Sequence, residues 1–383
     1  MRIWLPLVAA AAVYAAGHIA ANERIPIILD TDIGSAIDDA HALALVLASE
    51  ELDLLGVTTC TSGAEDRAWM VCRFLTSVER SGVPVAYGRD PQPKSQIDWQ
   101  IQYRRHPAVV WNRTMKPSQE SAVDLMKRLL HERHEANERP ATILAIGSLT
   151  NVARLFKEHP KAKEWIERIV LMGGALEVGY NGKPPVVAEW NIRSDIAAAQ
   201  VVFCSGVPLH VVPIDAAMGV QLNEDQRRKL YASHTPITWE LFSLWQLDDG
   251  AEGETLFDPV AVRMAIDPAF CKTKPLCLFV QEDGITRPVK GKANATVATD
   301  VDAQEFVRWY IDRLTNSGDA ILRKPPGNRS TVVERQGLPR VVHAFEDYDN
   351  NIEKRWWMTG KLETEDLPAG SRRACRAVLT QDY

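Results

Sequence analysis

Six short apolar runs recur along the chain: IPIIL (25–29), LLGVTT (54–59), VPVAYG (83–88), ATILAIG (141–147), RIVLMGG (168–174) and PLHVVPID (208–215). Longer amphipathic stretches separate them. A strand that is apolar on both faces has to be covered on both, so these runs describe a mostly parallel sheet between two helical layers. The fold class is therefore α/β, with an open sheet and helices on both faces. In such sheets ligands bind beyond the carboxyl ends of the strands, so the polar residues directly after each run are the functional candidates.

The flanking segments set the organisation. Residues 1–22 place Arg2 before an apolar run and end in small residues, the order of a secretory signal peptide. Its apolar part is short for a membrane span. The expectation is a secreted or periplasmic protein with no membrane attachment after signal cleavage, an uncleaved anchor being the alternative. Residues 23–320 form the α/β domain, a Rossmann-like unit that closes on the helical stretch AQEFVRWYIDRL (303–314). After KPPGNRS (324–330) the pattern turns β-like, and 325–383 reads as a small β-rich extension that ends on a strand-like run, as an incomplete module does. Trp356 and Trp357 in it are adjacent, so on a strand they point to opposite faces and suit packing better than a joint sugar platform. Pro91–Pro117 lacks a period and reads as a surface excursion or lid.

Net charge and cysteine usage narrow the partners. A charge of −6 gives no general attraction to phosphate backbones, which excludes nucleic acid as the default partner and favours a small molecule. The six cysteines form no CxxC pair and no zinc spacing. Cys271 and Cys277 flank a five-residue stretch, either as a small disulfide loop or as free thiols.

The strongest chemical signal follows the first apolar run. Asp30, Asp32, Asp38 and Asp39 fall within ten residues, at a strand end and a helix start. One or two would be ordinary helix capping. Four like charges at one crossover repel, and a cation is what holds such a set together. Oxygen-only ligands suit a hard ion, Ca²⁺ or Mg²⁺, rather than zinc.

These residues resemble the DxDPGxDDA signature of the inosine–uridine-preferring nucleoside hydrolases. IGSLTNVARL (146–155), VLMGGA (170–175), AEWNIRSDIAAA (188–199) and FDPVAV (257–262) resemble further motifs of that family in the family's order. The resemblance implies hydrolysis of the N-glycosidic bond of ribonucleosides, with Ca²⁺ as cofactor and a dimer or tetramer as assembly. It implies that Asp32 is both a metal ligand and the base that activates water, with Asp39, Asp258 and the Ile146 carbonyl as further ligands. Asp38, Glu189 and Asn191 would bind ribose hydroxyls, and Asp30 would support the site. Read as residues alone, Asn191 and Asp195 are equally helix caps, and GSLTN is equally a turn.

Departures from the family fall mainly on the base side. The Asp32–Asp38 loop is two residues longer than usual and carries Ile33 in place of Pro. The Asn expected after the second strand is replaced near Ser62 and Gly63, and Glu65 and Asp66 nearby have no assigned role. Phe257 stands where inosine–uridine enzymes place a His that protonates the leaving base. The purine-preferring subgroup carries a Trp there, so Phe257 reads as a stacking ring that binds substrate, or else as packing. Trp99, Trp111 and Trp245 are possible stacking partners, and His106 and His234 substitute acids. Two other readings stay open. One is a phosphatase of the haloacid dehalogenase type, which also starts with a strand and DxD; the other is an inactive nucleoside- or glycan-binding protein.

The leader gives one direct expectation. Mass spectrometry of exported protein should find a mature N-terminus after about residue 17 to 22. An intact Met1 on soluble cytosolic protein would overturn it.

Overall fold

The computed structural model describes residues 24–89, 115–245 and 254–317, with two short strands at 344–346 and 374–376. Strands form at all six apolar runs: β1 (Ile25–Thr31), β2 (Leu52–Thr59), β3 (Val85–Tyr87), β4 (Ala141–Ala145), β5 (Ile166–Met172) and β6 (Leu209–Val212). They pair in parallel in the order β3-β2-β1-β4-β5-β6. A detached pair, β7 (Gln221–Leu222) and β8 (Glu254–Thr255), follows. Then β9 (Lys272–Val280), β10 (Thr286–Val289) and β11 (Ala295–Asp300) extend the sheet to nine strands. β11 runs parallel to β6, while β9 and β10 are antiparallel additions at the edge. No apolar run announces β9, because its first four residues are exposed and polar groups interrupt it. Pro288 on β10 lies on the outer strand, where a missing N–H costs no ladder bond.

Alternation along β1 shows why the runs are apolar throughout. Ile27 and Leu29 enter one core layer, with helices α1 (Asp38–Ala48), α2 (Ala64–Ser77), 257–266 and 303–315. Ile28 enters the other, with the helices at 122–135, 150–158 and 196–203. Each fully buried residue of this size contributes about 1.5–3 kcal/mol relative to exposure. α1 itself is buried from Asp39 to Ala48, wedged among the helices at 236–245, 257–266 and 303–315.

Strand order reverses between β1 and β4. Connections from these two strands leave in opposite directions, so a crevice opens beyond their carboxyl ends. Asp30 pairs with Ala145, and the Ile146 N–H donates to the Asp30 carbonyl at 2.8 Å, which brings both ends level. The family-like motifs after β1 and β4 therefore meet in one place.

Among the described residues no helix is long and apolar enough to cross a membrane. Cys271 and Cys277 are both free thiols, so the small disulfide loop is not formed. Ala344–Glu346 and Ala374–Arg376 pair antiparallel. The rest of the 325–383 extension, with Trp356 and Trp357, lies outside the described residues, as do the 1–22 leader and residues 91–114 of the excursion.

Candidate active site

β1 delivers Asp30, Thr31 and Asp32 to the crevice, and the turn after it feeds α1, whose first residues are Asp38 and Asp39. Gly34 in this turn has a φ of +117°, and a Cβ there would lie 3.0 Å from Met70 Sδ. Only glycine takes that backbone without strain. Arg67 of α2 is buried beneath the turn. Its Nη1 donates to the Asp32 carbonyl and, at 2.9 Å, to that of Ile33, and its Nε donates to Ser62 O at 2.8 Å. The Thr31 hydroxyl donates to Asp39 Oδ1, and the Asp32 N–H reaches the same oxygen at 3.2 Å.

Asp38, Asp39 and Asp258 each place one carboxylate oxygen within 4.8 Å of the others. Two helix N-termini converge on them, those of α1 and of Phe257–Ile266, and the Asp258 N–H reaches the Asp38 carboxylate. Pro259 fits the first turn of its helix because an N–H there has no helical partner. Burial, and then the charge of Asp32, raises Asp38 to about 7. Asp39 and Asp258 are pushed well above the usual carboxylate range, first by burial and then by neighbouring carboxylates. With Asp39 and Asp258 buried and Asp38 partly so, the oxygen-only and mutually repelling set fits a hard divalent cation. Asp38, expected on ribose, stands in this carboxylate group. Asp32, expected among the ligands, lies outside that group of three, although its charge acts on Asp38, Asp39, Asp258, Glu189 and Asp30. Gly147 lets the β4 loop close over it, since a Cβ there would come within 2.8 Å of Asp32 Oδ1.

Asp30 sits one layer deeper. Its Oδ1 accepts from Thr58 Oγ1 at 2.7 Å and from Asn151 Nδ2 at 2.9 Å, while burial raises its pKa to about 7. Asn151, from the GSLTN segment, also donates to Thr59 O at 3.0 Å, so that segment ties β1 to β2.

The opposite wall comes from the AEWN segment. Glu189 accepts from the N–H groups of Asn191, Ile192 and Gly174 at 2.9, 3.1 and 3.0 Å, and burial raises its pKa despite these bonds. Glu189 is thus the helix cap, and Asn191 is free to donate through Nδ2 to Ile146 O at 2.9 Å and Met172 O at 3.2 Å. A carbonyl has two lone pairs, so Ile146 O keeps one for another partner. Asp195 caps the helix at 196–203 through Ala198 N and accepts from Thr150 Oγ1 at 2.7 Å.

Phe257 is half-buried and meets the ring of Tyr180 edge-on at 6.4 Å. Tyr180 also accepts from the Trp190 N–H at 2.8 Å and lies 3.5 Å from Glu189 Oε1. Sequence reasoning missed both Tyr180 and Arg67. Trp245 packs against Tyr231 and Phe242, and His234 is an exposed neighbour of Trp239. Glu65 and Asp66 occupy the first turn of α2. Trp99, Trp111 and His106 lie outside the described residues.

The family model for inosine-uridine preferring nucleoside hydrolases matches residues 27–308. The chain belongs to this family. It is accordingly an N-glycosidase of the nucleoside hydrolase type. It is 33% identical to the pyrimidine-specific ribonucleoside hydrolase RihA of Escherichia coli O1:K1 over 318 residues, covering 76% of this chain and 98% of that protein. A solved plant nucleoside hydrolase, PpNRh1, superposes with a TM-score of 0.65 at 25% identity, over 76% of this chain and 99% of that one. The inosine-uridine preferring nucleoside hydrolase of Bacillus anthracis shares the fold, with a TM-score of 0.62 at 20% identity and the same coverages.

Raised carboxylate pKa values carry a pH signature. Asp30 and Asp38 titrate near 7 in the folded chain against an ordinary 3.8, so folding takes up protons between these values. Their stabilising contribution is full below about pH 4 and is lost as pH rises through about 7. In chelator, Tm should therefore rise as pH falls from about 7.5 to about 5.5, and saturating calcium should flatten that slope. A chelated protein whose Tm stays level or drops over this interval would overturn the electrostatic account.

Proposed function

We propose that the protein hydrolyses the N-glycosidic bond of ribonucleosides to ribose and free base, with Ca²⁺ as its cation and Asp32 as the base that activates water. The observation that carries this reading is the group of Asp38, Asp39 and Asp258 carboxylates at the strand switch point, with the Asp32 charge acting on all three. Those carboxylates and the free lone pair of Ile146 O would hold the calcium ion, whose chemistry there would be to lower the pKa of a bound water. Asp32 accepts that proton. Asp38, Glu189 and Asn191 bind the ribose hydroxyls. As the glycosidic bond breaks the ribose ring acquires oxocarbenium character, and the carboxylate floor stabilises that positive charge.

Leaving-group activation falls to aromatic rings. Phe257 has no proton to donate, and burial followed by the Glu189 charge pushes the Tyr180 hydroxyl above the usual phenol range. Stacking on Phe257, edged by Tyr180, supports a base that takes its proton from solvent. This favours the larger face of a purine, whereas RihA is by name pyrimidine-specific. Two further features are part of the proposal: export guided by residues 1–22, and a homo-oligomeric assembly, which the family resemblance supports.

Asp32→Asn should lower kcat by about 10²-fold or more with little change in Tm, because the amide cannot take the proton. A variant within a few-fold of the native rate would sink the assignment. Assaying p-nitrophenyl riboside beside p-nitrophenyl phosphate separates this reading from the phosphatase alternative.

Phe257→Ala should reduce kcat/KM for purine ribosides by roughly 1–3 kcal/mol, the range for one base stacked on an aromatic ring. p-Nitrophenyl riboside, whose leaving group needs no protonation, should lose much less. Equal losses on both substrates with a lowered Tm would make the ring a packing residue instead.

A further inference from the structure

Behind the carboxylate group, on the core side of α1, lie three buried polar side chains that the proposed chemistry does not use. His41 is fully buried, its Nε2 3.1 Å from Glu254 Oε2 and its Nδ1 2.5 Å from the Tyr310 hydroxyl. Tyr310 is also fully buried and stacks on Phe306, and Glu254 is 5% exposed. With Glu254 accepting, Nε2 carries the imidazole proton and Nδ1 accepts from Tyr310. Such a network is costly in a core, where apolar residues of similar size are often neutral or stabilising replacements. Stability alone does not explain it.

Its position does. His41 lies three residues after Asp38 and two after Asp39 on α1. Glu254 lies four residues before Asp258, on β8, and the next strand-exit residue, Leu256, is tied to Val220 O at 2.8 Å. The His41–Glu254 bond thus spans the two segments whose carboxylates make up the cation group. Tyr310, on the 303–315 helix, fastens His41, and through it Glu254, to the body of the domain. When those carboxylates are ionised they push the two segments apart, and the bond on their far side opposes that movement.

We propose that His41, Glu254 and Tyr310 form a positioning clamp that holds Asp38 and Asp39 at a fixed separation from Asp258, so that the cation site is preorganised before the ion arrives. The clamp rests on the reading of that group as a calcium site. None of its members touches substrate.

Calorimetric titration of chelator-stripped protein with Ca²⁺, beside Tm measured in chelator, tests the clamp. His41→Leu and Tyr310→Phe should weaken calcium binding by about 10-fold or more, the effect typical of residues that orient ligands. Their Tm in chelator should also fall, because each substitution leaves a buried polar partner unsatisfied, so the calcium affinity of the folded variants is the deciding readout. Glu254→Gln keeps an acceptor for Nε2 and should retain most of the affinity, whereas Glu254→Leu should not. A merely structural network would lower Tm and leave calcium affinity within about twofold of the native protein, which would overturn the clamp. If His41→Leu does not fold, Tyr310→Phe and the Glu254 pair decide by the same criteria. Failure of the native protein to bind calcium would instead overturn the underlying cation reading, and the clamp with it.

Discussion

Mutual repulsion among buried carboxylates is the constraint around which the site is organised. Asp38, Asp39 and Asp258 hold oxygens within 4.8 Å of one another, with Asp32 beside them. At that separation each ionised pair costs about 3.5 kcal/mol for an effective dielectric near 20. Two helix N-termini face the group, each worth about 0.3–2 kcal/mol to a nearby anion. Arg67 adds an opposing charge that lowers Asp39, but its guanidinium is also committed to the backbone carbonyls of Asp32, Ile33 and Ser62. These counterweights are smaller than three pairwise repulsions. Either protons or a divalent ion must make up the difference, and burial followed by this repulsion shifts the carboxylates upward.

Sheet topology is what allows the repulsion to be concentrated. β1 and β4 end side by side at the order reversal, so Asp32 and the Ile146 carbonyl are neighbours although more than a hundred residues apart. β5 then brings Met172 O and the Gly174 N–H to the same floor, where Asn191 and Glu189 bind them. Each polar group is thus fixed by a strand end or a helix start rather than by loop side chains. A site built on such elements holds its geometry closely.

That division also determines what a reader of the sequence can see. β1 to β6 were legible because burial on both faces leaves few polar positions to blur the run. β9 and β10 were not, since an exposed edge hairpin tolerates Lys272, Lys274 and Pro275. The Asp30–Asp39 cluster was legible because its charges are adjacent in the chain. Which of those charges come together in space was not, because that depends on the path of the turn at Gly34, after which Asp38 and Asp39 stand within 4.8 Å of Asp258. Arg67 looks like any helix cation, since its partners are backbone carbonyls that no side-chain pattern encodes. Tyr180 lies in an aperiodic stretch, and only the folded loop brings it to Glu189 and Phe257.

Phe257 and Asp258 make the two halves of the site inseparable. They are the first two residues of one helix, so the Phe257 ring and a carboxylate of the acidic group share a single backbone turn. A substitution that shifts this helix start moves both. A histidine at 257 would place an imidazole directly before a carboxylate that already stands among like charges, which favours its protonated form until a cation is bound. A phenylalanine carries no such dependence. Its contribution rests on ring contact alone, so it is insensitive to the charge of the group beside it.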